Sequence, residues 1–229
     1  MLLVQFLFWH MKYLDKEEDS MVYQQIQSEL QGAKLVIVSK YRSNEQLMHY
    51  YTLGHRDFAE NRVQELVKKY DLLPKDICWH MIGHLQRNKV KYIVPFITMI
   101  HSVDTLSLLD TIEKECKKIN RKVSVCLQFN IAKEETKSGF MLEEWQEVID
   151  YCSHLSYVGV CGIMVMGPHT DDEEAIVSVF KQAQELLQVM QSKYPQIQEL
   201  SMGMSDDYPL ALAHGATMVR VGSKLFENV

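Results

Sequence analysis

Proline and glycine are sparse here, five and ten in 229 residues, and no stretch is rich in either or in serine. A flexible linker needs such a stretch, so its absence points to one domain over residues 1–229. No block of Lys and Arg occurs either, and the formal charge is −6. A nucleic-acid surface needs a basic patch to neutralise phosphates, which excludes nucleic acid as an expected partner. The five cysteines, Cys78, Cys116, Cys126, Cys152 and Cys161, form no CxxC pair. An odd count at irregular spacing is a poor disulfide framework, and reduced thiols fit a cytoplasmic location. Cys126 and Cys161 fall inside apolar runs and read as small buried hydrophobes. Long apolar runs are missing as well. Met1–Trp9 is far shorter than the ~20 residues of a spanning helix and has no basic flank or small-residue cleavage site. No membrane association is expected, and residues 1–16 read as a variable extension.

What the chain does have is alternation. Short apolar or β-branched runs occur at Leu35–Ser39, Asp57–Ala59, Ile77–Ile82, Thr98–Ser102, Val123–Asn130, Tyr157–Met164, Glu199–Met202 and Thr217–Val221. Segments with helical spacing separate them, at Asn44–Leu53, Arg62–Tyr70, Gln86–Val94, Thr105–Asn120, Leu142–Ser153, Glu173–Tyr194 and Asp206–His214, and an initial helix at Glu17–Gln31 precedes the first strand. In Glu173–Tyr194 the apolar residues recur at three and four, the mark of one buried face. Strand and helix alternating in this way predict an α/β protein, a (β/α)₈ barrel, with a doubly wound open sheet as the alternative that pattern alone leaves open.

In either architecture functional groups gather at the carboxyl ends of the strands. The run "KLVIVSKYRSN" ends its apolar strand in Lys40. Partial burial disfavours the charged form of an amine, and a neutral amine attacks a carbonyl to form a Schiff base; a lysine at a strand end is also common as a solvated charge. "MVRVGSKLF" places Arg220, Gly222 and Ser223 at the end of the last strand, with a close-approach glycine and a hydroxyl suited to a phosphate. The preceding loop, "SMGMSDDY", offers Ser201 and Ser205 to the same anion, although Ser205 before Asp206 and Asp207 reads equally well as a helix cap. Asn61 is a candidate to hold a ring substituent or to cap a helix. His80 and His84 span a strand and its turn, not one helix face, so no metal is expected, and His80 reads as a core or mouth histidine. Glu60 and Glu65 show no pairing that makes an acid and a base.

Taken together, "VSK" with Lys40, "FAENRVQE", "WHMIGHLQRNK", "IHSVD", "KSGF", "SMGMSDDY" and "VRVGSKLF" resemble the pyridoxal phosphate homeostasis protein family, from about Leu35 to Phe226. The resemblance implies a barrel like the N-terminal domain of alanine racemase, with pyridoxal 5′-phosphate held on Lys40 as an internal aldimine. It implies Ser201, Ser205, Gly222 and Ser223 around the phosphate, Met204 nearby, Arg220 facing the pyridine nitrogen, and Asn61 and His80 near the cofactor. The chain departs from the family at Ala59, at Ser223 in place of threonine, and at Tyr41, Arg42 and Ser43, where a usual proline has no counterpart. Phe226–Glu227 stands where the family has "FG", which leaves the packing of that end open.

The implied function is a carrier or buffer of pyridoxal 5′-phosphate serving pyridoxal-phosphate-dependent apoenzymes, a monomer with no catalytic residues of its own. One alternative is a weak amino-acid racemase on the same lysine. Such an enzyme takes an opposing tyrosine from its partner subunit and has a second β-rich domain, for which a chain ending at Val229 leaves no room. Another is an aldolase-like barrel forming a Schiff base with a sugar phosphate, which needs a carboxylate beside the lysine.

Overall fold

The computed structural model describes residues 19–134 and 136–226, so the extension at residues 1–16 lies outside the described residues. Eight parallel strands close into a barrel in chain order. They are β1 (Lys34–Val38), β2 (Asp57–Glu60), β3 (Cys78–Met81), β4 (Met99–Val103), β5 (Val123–Phe129), β6 (Val158–Val165), β7 (Glu199–Ser201) and β8 (Met218–Val221). Closure is made by β1 against β8, from Lys34 opposite Met218 to Ile37 opposite Val221. That closure decides for the barrel over the open sheet.

A helix over residues 19–29, α1, precedes the barrel. After the successive strands come α2 (Asn44–Thr52), α3 (Val63–Leu72), α4 (Val90–Ile93), α5 (Leu106–Lys118), α6 (Trp145–Cys152), α7 (Glu173–Lys193) and α8 (Tyr208–Ala213). Local chemistry sets their starts. Ser43 and Gln46 form a reciprocal capping box on α2, Thr105 caps α5, and Asp172 caps α7. The expected helix at Gln86–Val94 shrinks to a 3₁₀ turn (Arg87–Lys89) and the single α turn of α4. The loss is at the start of the segment, where Gln86 is extended, while helical backbone runs on through Val94 as far as Pro95.

Alternation along the strands creates two cores. Leu35, Ile37, Phe58 and Trp79 face outward into the layer beneath the helices, where α7 contributes Ile176, Val179, Phe180, Ala183, Leu186, Leu187 and Met190. Val36, Ala59, Met99, Cys126, Met164 and Met218 fill the barrel itself. Cys126 is fully buried there as expected, whereas Cys161 is half-buried and donates to the Val125 carbonyl. Phe226 is buried edge-on against Tyr50 with ring centroids 5.3 Å apart, while Glu227, where the family has its glycine, lies outside the described residues.

Gly83, just past β3, lets the neighbouring strand ends meet: a Cβ there would lie 2.2 Å from the Asn61 carbonyl oxygen. Gly83→Ala is therefore expected to push Asn61 off its position and to cost about 1–3 kcal/mol, read as a lower urea midpoint. An unchanged midpoint would mean that the two strand ends are free to separate.

Candidate functional site

Past Val38 the same alternation turns Ser39 outward and Lys40 to the barrel mouth. Tyr41 then takes a left-handed φ of 64°, and the Arg42 N–H closes the turn on the Ser39 carbonyl at 3.1 Å. For a residue with a bulky side chain that backbone is costly, about 1–2 kcal/mol, and needs anchoring on either side. The anchor is a buried knot that sequence reasoning missed. Lys69 Nζ lies 2.5 Å from Glu60 Oε1 and donates to the Ser39 carbonyl at 2.6 Å. The Ser39 hydroxyl donates to Glu60 Oε1 at 2.8 Å, and the Asn61 N–H to Glu60 Oε2 at 3.2 Å. The two charged side chains are 8% and 1% exposed. The signal was present: Val63, Leu66 and Lys69 form the buried face of α3, so a lysine sits on an apolar stripe. Glu60 is thus ion-paired with Lys69 on the helix side of the sheet, turned away from the mouth, and still forms no acid and base pair with Glu65.

Lys40 itself is exposed, which matches the solvated one of the two readings a strand-end lysine allows. It opens on a cavity of about 340 Å³ whose walls include Asn61, Met204, Ser205, Arg220, Gly222 and Ser223. Opposite Lys40, the N–H groups of Gly222 and Lys224 converge on Ser205 Oγ at 3.2 and 3.4 Å. Those distances are long for hydrogen bonds, and an anion with several acceptor oxygens would satisfy the same donors better. Gly222 approaches β1 closely: a Cβ there would meet Val38 Cβ at 3.1 Å and the Val38 carbonyl oxygen at 3.2 Å.

Two alternatives raised by the sequence are now decided. Ser205 does not cap α8, which begins at Tyr208 after Asp207, and Asp207 instead accepts the Met204 N–H at 2.5 Å. That bond satisfies a backbone N–H ahead of the helix, next to Gly203, whose φ is +88°. Asn61 caps no helix either, since the residue before α3 is Arg62, and it faces the cavity.

Ser201 and His80 do not line the cavity. Both are fully buried beneath the mouth. Ser201 Oγ lies 2.7 Å from His101 Nδ1 and accepts from Arg220 Nη1 at 2.7 Å, so its hydroxyl serves the guanidinium and not the anion cradle. His80 lies between Asp57 and His101, at 3.0 and 2.8 Å. This places Ser201 away from the phosphate-compatible loop where the resemblance set it. Arg220 is 4% exposed, and burial pulls its guanidinium down to about 10 while Asp207 and Cys126 resist, so it stays protonated at neutral pH. Among the described residues no group of three His, Cys, Asp or Glu side chains is placed to hold a metal ion.

Burial holds the His101 imidazole well below its usual range, with His80, Arg220 and Lys34 acting in the same sense. Burial also lowers His55, against a partial opposing effect from Asp57. Such histidines take up their proton first in the unfolded chain. The stability they contribute is whole above the unfolded value of about 6.5 and is lost as pH falls below it, by up to about 1.4 kcal/mol per pH unit for each group. The urea midpoint is expected to be level down to about pH 6.5 and to fall steeply below; a level profile to about pH 5 would show that the two rings are not neutral in the fold.

A closed parallel barrel with a lysine at the end of its first strand and an anion-compatible loop after its last defines a class. Residues 21–227 match the family model described as "Alanine racemase, N-terminal domain". A pyridoxal phosphate homeostasis protein of Aquifex aeolicus is 40% identical over 196 residues, covering 85% of this chain and 86% of its own. One of Schizosaccharomyces pombe is 33% identical over 211 residues, covering 90% and 89%. The chain belongs to the pyridoxal phosphate homeostasis protein family. Among solved structures, PipY of Synechococcus elongatus is 34% identical and superposes with a TM-score of 0.86 without PLP, covering 90% of this chain and 98% of its own. With PLP bound the TM-score is 0.83, with 91% and 99% covered.

Proposed function

We propose that this protein, as a single domain and a monomer, binds pyridoxal 5′-phosphate through the Lys40 amine. It acts in the cytoplasm as a carrier or buffer that supplies pyridoxal-phosphate-dependent apoenzymes, without turnover of its own. One observation carries the reading: Lys40, Arg220, Ser205 and Gly222 line one cavity of about 340 Å³, and the N–H groups of Gly222 and Lys224 converge on Ser205 Oγ. The donor set suits a phosphate, an aromatic nitrogen and an aldehyde at three points of a planar molecule. In support, the structure of the 34% identical PipY is described with PLP bound.

Ser205, Ser223 and the N–H groups around Gly222 would receive the phosphate, with Met204 alongside. Asn61 would face the ring and Arg220 its nitrogen. When bound, the cofactor supplies an electrophilic carbonyl and a ring able to take up electrons. A guanidinium that stays protonated disfavours a proton on the ring nitrogen, which weakens that electron uptake and favours storage over amino-acid chemistry. The aldolase-like alternative has less support: Glu60 is committed to Lys69 behind the sheet, and although Asp206 stands on the cavity wall, the relatives the chain matches are pyridoxal phosphate homeostasis proteins.

The test is the absorbance of purified protein with added pyridoxal 5′-phosphate, before and after borohydride reduction, with the adduct located by mass spectrometry. A visible band fixed onto Lys40 supports the reading, and amino-acid turnover then separates carrier from weak racemase. No band at saturating cofactor overturns it.

A further inference from the structure

Through the otherwise apolar filling of the barrel runs one polar column. At the lower rim Lys34 Nζ lies 3.4 Å from Asp57 Oδ1. Asp57 Oδ1 is 3.0 Å from His80 Nε2, and His80 Nδ1 is 2.8 Å from His101 Nε2. His101 Nδ1 is 2.7 Å from Ser201 Oγ, to which Arg220 Nη1 donates at 2.7 Å. Arg220 Nη2 donates to the Val165 carbonyl at 3.1 Å. His80, His101 and Ser201 have no exposed surface, so the protein alone must satisfy their polar atoms.

Counting donors leaves little choice of protons. A guanidinium only donates, so Ser201 Oγ accepts from Arg220 and its own hydrogen goes to His101 Nδ1. That nitrogen is then bare, and the His101 proton sits on Nε2 and goes to His80 Nδ1. His80 in turn carries its proton on Nε2 and donates it to Asp57, an acceptor only when ionised. Burial pushes the Asp57 carboxyl up, but the hydrogen bond from His80 and the nearby Lys34 ammonium work against it, and the carboxyl is held below its ordinary value. From Arg220 to Asp57 the donors point one way, from the mouth toward the lower rim, where Lys34 donates to the same carboxylate from the other side. A second proton on His101 would face the Ser201 oxygen from a side already meeting Arg220 and leave the hydroxyl hydrogen without its partner.

We propose that His80 and His101 are positioning residues for Arg220. As a pair carrying one proton each and anchored on Asp57, they orient the Ser201 hydroxyl and through it the guanidinium that lines the mouth. Neither imidazole lines the cavity, so both act through Arg220. The effect on cofactor binding rests on the function proposed above, whereas the sense of the hydrogen bonds does not.

Two experiments keep these apart. Long-range ¹H–¹⁵N spectra of the full-length protein at about pH 8, before and after adding pyridoxal 5′-phosphate, should show both rings with the proton on Nε2. A proton on His101 Nδ1 at neutral pH overturns the column whether or not cofactor binds. The second is a double-mutant cycle in pyridoxal 5′-phosphate affinity. Ser201→Ala and His101→Gln should each weaken binding about tenfold, the scale of one bond to a charged group, and the double variant no further than either alone. Ser201→Thr, which keeps the hydroxyl, should retain affinity. Losses that multiply in the double variant, or wild-type affinity in both singles, overturn the proposal; failure of the wild-type protein to bind overturns the proposed function and leaves the proton positions to the spectra.

Discussion

Lys40→Ala protein is expected to fold and melt like the wild type and to show no borohydride-reducible chromophore at any pyridoxal 5′-phosphate concentration. Folding survives because Lys40 is exposed, and substitutions at such positions usually change stability by no more than about 0.5 kcal/mol. The turn that presents it is held by Ser39, Glu60 and Lys69, none of which is altered. Weak reversible binding should persist, since the N–H groups of Gly222 and Lys224 and the Ser205 hydroxyl are untouched. Equilibrium dialysis and absorbance together check both halves. A reducible band in the variant would assign the covalent bond to another lysine and refute the role given to Lys40.

Lys69→Met is expected to have the largest effect on stability, a loss of about 3–5 kcal/mol, because it strands the Glu60 carboxylate where its side chain is 1% exposed. Against the roughly 5–15 kcal/mol of an ordinary domain that is a large fraction, visible in the urea midpoint. Pairing Lys69→Met with Glu60→Gln removes the stranded charge and should recover part of the loss; the methionine stem still fills the space, although the Ser39 carbonyl loses its donor. A Lys69→Met protein as stable as the wild type would show that the pair contributes no net stability. The same loss should loosen the end of β1, so cofactor affinity in the surviving folded protein is expected to fall as well.

Much of this was legible along the chain. Strand and helix placement is local, governed by spacing, caps and breakers within a few residues, and the eight strands lie where the apolar runs are. The two poorest matches are Gln86–Val94, whose first residues are extended and then 3₁₀, and Asp206–His214, whose helix starts two residues late at Tyr208. Lys40, Ser205, Gly222 and Ser223 were legible because strand ends deliver whatever follows them to the mouth.

The sequence by itself therefore determined the alternation, the inward and outward faces, the family and the groups available at the rim. Only the tertiary structure decided what those groups bind. Glu60 meets Lys69 by the docking of α3 on β2, and His101 meets Ser201 across a hundred residues by closure of the barrel. Periodicity reports which face a side chain takes, because that depends on its own backbone. It cannot report which partner from a distant strand occupies the same layer, and there the desolvated charges and protons find their places.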